Sequence, residues 1–114
     1  MAARNYTLTI RADSRARKER FDELSTALAA LEERGRGLQA AAHERPMGGT
    51  LIRRLEPVQI VVARLELRGP ARLHAGVDVR GDGSSEAFTG RVRRRVLEQR
   101  PGEDPYDALR RRLS

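Results

Sequence analysis

The 114-residue chain contains no cysteine and no tryptophan, and Tyr6, Phe21, Phe88 and Tyr106 are its only aromatic residues. His43 and His74 are its only histidines, and Lys18 is its only lysine. Without cysteine there is no disulfide scaffold, no thiolate redox centre and no cysteine-based zinc module. Two histidines far apart in sequence are a poor ligand set, so no metal and no cofactor is expected. No apolar run approaches the ~20 residues that a membrane-spanning helix needs. The opening MAARNYTLTI lacks the long apolar stretch of a signal peptide. The expectation is a cytoplasmic protein without a membrane partner. Leu, Ile, Val and Phe supply 25 residues, just above the ~20% below which a highly charged chain reads as disordered. A further 15 residues are alanine, so the core should be thin. A thin core in a short chain favours a homodimer or a stabilising partner.

What the chain has in quantity is arginine. Of its 23 basic residues, 22 are arginine, and 16 acidic residues leave a net charge of +7 and a pI of about 11.2. The length fits one domain, residues 1–114. Tyr6, Leu8 and Ile10 alternate with Thr7, Thr9 and Arg11, which is the period of a half-buried strand. Asp13 or Ser14 is a candidate cap for a helix with Phe21, Leu24, Leu28 and Leu31 as its apolar stripe, stopped at Gly35 and Gly37. Residues 44–57 read as a loop broken by Pro46, Gly48 and Gly49. Residues 58–68 and 73–80 alternate around Gly69-Pro70-Ala71 as a β-hairpin. Over 84–99, Phe88, Val92 and Val96 satisfy helical spacing and also share the even parity of a strand; helix is preferred. Asp104 and Pro105 open a helix striped by Tyr106, Leu109 and Leu113 within a C-terminal tail over 100–114. The fold class is α+β: a small mixed or antiparallel sheet of three to four strands, with two or three helices on one face.

Three basic clusters stand out. The first is Arg15, Arg17, Lys18 and Arg20, which a helix start would place against the macrodipole, so helix stability does not explain it. The second is Arg91, Arg93, Arg94 and Arg95, and the third is Arg110, Arg111 and Arg112. The guanidinium fork grips phosphate in bidentate fashion, which nominates all eleven for nucleic-acid binding. The opposing reading is a solvated, salt-bridged surface in an arginine-biased chain. Aromatics fall on predicted core faces, so recognition through backbone or shape is expected, RNA ahead of DNA. His74 falls on the outward face of its strand, where a surface role outweighs general acid–base work. No catalytic residue is assigned, and the leading expectation is a non-enzymatic RNA- or ribosome-binding protein. A homo-oligomeric interaction module, or one that binds an acidic protein, is the bland alternative.

Two resemblances bear on the choice. The helix of Phe21, Leu24, Leu28 and Leu31, followed by Leu73-His74-Ala75 and Glu86-Ala87-Phe88 leading into a basic helix, resembles the ribosome-hibernation family over roughly 5–99. That resemblance implies binding at the small-subunit decoding region. The chain departs from it in the 44–57 loop, the tail beyond 100 and the Thr89-Gly90 pair. The stretch from Leu65-Glu66-Leu67-Arg68 through Arg93-Arg94-Arg95 to the final helix resembles ribosome-dependent mRNA-cleaving toxins of the RelE-type fold. It implies a strand over 87–97 and basic side chains that hold mRNA during cleavage.

Overall fold

In the computed structural model, which describes residues 5–44 and 60–114, the alternation of Tyr6, Leu8 and Ile10 forms a strand, β1 (Tyr6–Ala12). Asp13 and Ser14 follow at φ 52° and 61°. Two consecutive left-handed residues make the tight turn whose twist suits a β-hairpin. The chain therefore folds back as β2 (Arg15–Phe21), with Tyr6 opposite Phe21 and Ala12 opposite Arg15. This corrects the expectation of a helix capped at Asp13 or Ser14. Arg15, Arg17, Lys18 and Arg20 lie on an edge strand, where charged side chains discourage pairing with another chain.

The first helix, α1 (Leu24–Glu44), starts after that strand and runs straight through Gly35 and Gly37. Neither glycine is a stop; Gly35 is buried under Tyr106. The hairpin expected around Gly69-Pro70-Ala71 is formed by β3 (Val61–Gly69) and β4 (Leu73–Arg80). The loop expected over 44–57 falls, beyond Glu44, outside the described residues.

Residues 84–99 are not a helix. They form β5 (Ser85–Thr89), a reversal beginning at Gly90 (φ 96°), and the two-residue β6 (Arg95–Val96). The basic helix implied by the ribosome-hibernation resemblance is therefore replaced by strand and bend. The helical spacing of Phe88, Val92 and Val96 is a coincidence of sequence: Phe88 is 3% exposed, Val92 92% and Val96 57%. The last helix, α2 (Pro105–Leu113), begins as its sequence suggests. The Asp104 carboxylate accepts from the Asp107 backbone N–H, and the Asp107 carboxylate accepts from that of Asp104. This reciprocal capping box satisfies otherwise orphaned donors.

The six strands run in the order β2-β1-β3-β4-β5-β6, antiparallel at every step. The expected sheet of three to four strands was too small: β2 and β6, the two edges, carry too little apolar pattern to announce themselves. Residues directly opposite in a ladder share a face. Leu8, Ile10, Leu65, Leu67, Ala75, Val77, Val79 and Ala87 thus lie on one face, and they form the core with Ala27, Leu28 and Leu31 of α1 and with Tyr106 and Leu109 of α2. The class remains α+β. The other face carries Lys18, Arg20, Thr7, Thr9, Arg64, Glu66, Arg68, His74, Asp78 and Phe88. Among the described residues no helix is long and apolar enough to cross a membrane.

Candidate nucleic-acid interface

A groove of about 350 Å³ opens where β4 begins and β5 ends. Arg72 reaches it from the β3–β4 turn, Arg93 from the β5–β6 connection, Arg95 from β6 and Arg112 from the last turn of α2. Four arginines from four separate segments thus line one concavity. Leu73, His74, Thr89, Gly90 and Leu113 complete its lining, and no carboxylate is among them. Among the described residues, none of the four arginines has an acidic partner. Arg72 also holds a left-handed backbone, φ 59°, next to Ala71 at 57°. A long cationic side chain stands where glycine or asparagine would sit more easily.

The helix-free face of the sheet carries a second basic row, which shares only His74 with the groove. Arg20, Thr7, Arg68 and His74 are opposite one another in turn across β2, β1, β3 and β4. At ~4.8 Å per strand that row spans about 14 Å. Lys18 lies on the same face one pair further along, opposite Thr9. Arg68 is exposed, as are Lys18 and Arg20.

The three basic clusters therefore divide. Lys18 and Arg20 join the sheet row, whereas Arg15 and Arg17 project to the helix-bearing side of the edge, and Arg17 lies 3.9 Å from Glu19. Arg93 and Arg95 enter the groove, and Arg91 is exposed beside it. Arg94 turns the other way. Its guanidinium sits 4.6 Å from the Phe88 ring centre and 4.0 Å from Asp78. Arg64 approaches the same ring at 5.9 Å and binds Asp78 through two hydrogen bonds of 2.6 and 3.1 Å. Phe88 is thus buried on the face without helices, beneath cations rather than in the main core. Arg110 pairs with Glu32. Arg111 donates to both Glu103 oxygens and to the Glu98 carbonyl, and holds the Glu103 carboxyl down at about 2 with help from the Arg100 backbone N–H. Only Arg112 of that cluster reaches the groove. Arg68 and Arg72 were not nominated from the sequence. The signal was available: they flank the Gly69-Pro70-Ala71 turn, which puts both at one end of the sheet.

His74 is held on both sides. Nδ1 lies 3.1 Å from the Gly90 carbonyl oxygen and Nε2 lies 3.0 Å from Glu66 Oε2. Both partners are acceptors, so both bonds exist together only in the doubly protonated ring. The side chain is 7% exposed and anchors the reversal at Gly90. Glu66 also meets Arg11 at 3.6 Å, so it is neutralised from two directions. A second concavity at the β1–β2 turn mixes Arg11 and Arg15 with Asp13 and offers no such uniform charge. Among the described residues no three His, Cys, Asp or Glu side chains gather as a metal site. No family profile, curated protein or solved structure matches the chain.

Proposed function

We propose that this protein binds single-stranded RNA through its phosphates, without cleaving it. The observation that carries the reading is that Arg72, Arg93, Arg95 and Arg112, without acidic partners among the described residues, line one groove. Such a patch attracts a polyanion and displaces its counterions. α2 brings only its last turn, through Arg112 and Leu113, to the groove and α1 brings none of its residues, so neither is laid along it to enter a duplex major groove. The cleavage alternative needs a free acid–base group, and His74, the only histidine lining the groove, is engaged on both nitrogens. Ribosomal RNA is one candidate form of the ligand.

Fluorescence anisotropy with a labelled single-stranded RNA tests the reading. With four phosphate contacts, the logarithm of affinity should fall with that of salt at a slope of about −2.8, or roughly 50-fold between 50 and 200 mM. A duplex DNA of equal length should bind more weakly. Absence of binding to RNA at ~50 mM salt overturns the proposal.

A further inference from the structure

We infer that the groove takes a terminal phosphomonoester, the phosphate-bearing end of an RNA strand, rather than a phosphodiester within it. This rests on the RNA-binding reading above and specifies the part of the ligand that enters the groove.

A strand interior offers one negative charge per phosphate, spaced along a path. Cations that track it are themselves spaced along a path, as Lys18, Arg20 and Arg68 are across the sheet. The groove is arranged differently. Its four arginines come from a hairpin turn, a reversal, an edge strand and a helix end, and all four line one volume of about 350 Å³. Gathering like charges without a counter-ion is unfavourable, and a single phosphodiester relieves little of it. A phosphomonoester carries about −1.5 to −2 charges near pH 7 and three strong acceptor oxygens. It can therefore engage several guanidinium forks at once. Glu66, the carboxylate that contacts the groove's His74, also meets Arg11.

The surroundings agree with an end rather than a middle. Leu113, the last residue of α2, and Leu73 line the groove together with the arginines. The row through His74, Arg68, Thr7 and Arg20 lies on the helix-free face of the sheet and shares only His74 with the groove.

One RNA sequence in three forms tests this: 5′-phosphate, 3′-phosphate, and hydroxyl at both ends, each measured by anisotropy at moderate salt. One phosphorylated form is expected to bind on the order of tenfold tighter than the hydroxyl form, and which one identifies the end. In Arg93→Ala and Arg112→Ala proteins the ratio should fall towards one. In Lys18→Ala and Arg20→Ala proteins all forms should weaken alike and the ratio should persist. All four side chains are exposed, so folding is not at issue. Equal binding of all three forms by the unaltered protein overturns the inference and leaves RNA binding standing. A preference that survives both groove substitutions overturns it too, and no binding of any form overturns both readings.

Discussion

The Tyr106 ring occupies the space above Gly35: a Cβ at Gly35 would stand 2.9 Å from both Cε1 and Cζ, and closer still to Oη. The hydroxyl donates to Gln39 one turn along α1, so the ring is fastened where it crosses the helix. Glycine is kept in mid-helix for this approach, against an intrinsic penalty of about 1 kcal/mol relative to alanine. Gly37 has nothing within 4 Å of the same added atom. The two positions should therefore respond with opposite sign. Gly37→Ala should stabilise by up to about 1 kcal/mol. Gly35→Ala forces apart a packed pair, and overpacking of about 1–3 kcal/mol should outweigh the same propensity gain. Urea unfolding of the two variants measures both, and stabilisation by Gly35→Ala would contradict the packing.

The same ring sets an alkaline limit. Burial pushes the Tyr106 phenol up to about 12 from an ordinary 10.0, with Arg36 opposing the shift. The group is raised in the folded state, so its contribution is complete below pH 10 and is lost as pH rises towards 12. The loss should reach roughly 2–3 kcal/mol. In a Tyr6→Phe protein Tyr106 is the sole phenol, and its near-ultraviolet absorbance should titrate near 12. Titration near 10 in the folded protein would show that the ring is not buried.

Acid should act through a different set. An Arg34 hydrogen bond holds the Glu19 carboxyl below its ordinary value, against burial. Burial raises Glu32, but hydrogen bonds from Arg110 and Arg36 more than reverse it. Glu103 is lowered to about 2 by Arg111 and the Arg100 backbone. These carboxyls are depressed in the folded state. Their contribution is present above about pH 4.5 and is lost as pH falls, Glu103 protonating last, near 2. The urea midpoint should drop between pH 5 and pH 2.5. A Glu103→Gln protein should lose less over the range from pH 3 to pH 2 than the unaltered chain does.

How much of this was legible depended on where the apolar residues fell. β1, β3 and β4 place an apolar side chain at every second position, so period-two alternation located them. Asp104, Pro105 and the Tyr106–Leu109–Leu113 stripe located α2 because cap and stripe agreed. β2 was misread because an edge strand with charge on both faces has no apolar period, and Asp13 and Ser14 serve turns as readily as helix caps. Residues 84–99 were misread because Val92 and Val96 matched a helical spacing while being exposed. The basic clusters were visible as charge. Their division was not, because Arg94 is aimed at Phe88 and Arg111 at Glu103 by contacts between residues on different elements.

Arg72 offers a test in which stability and binding move in opposite directions. A left-handed residue other than glycine costs about 1 kcal/mol, and Arg72 holds φ 59°. Arg72→Gly should therefore stabilise the β3–β4 hairpin by about that amount while removing a cation from the groove. The expected variant melts higher and binds RNA more weakly. Ala71→Gly, at φ 57° and outside the groove lining, should gain stability and leave affinity unchanged. Tighter RNA binding by the Arg72 variant would remove that residue from the site.

The consecutive arginines of α2 give the sharpest separation between surface ion pairing and ligand contact. Arg110 ties α2 to α1 through Glu32, and Arg111 ties it to the preceding turn through Glu103. Ion pairs at the surface contribute little. Arg110→Ala and Arg111→Ala should each lower stability only slightly and leave RNA affinity within about twofold. Arg112 has no acidic partner among the described residues and lines the groove. Arg112→Ala should change stability by no more than about 0.5 kcal/mol, weaken RNA binding several-fold, and reduce the salt slope by about 0.7, the share of one phosphate contact. Unfolding curves and anisotropy titrations on the three variants decide the matter. If all three reduce affinity equally, binding follows net charge and the groove has no special part in it.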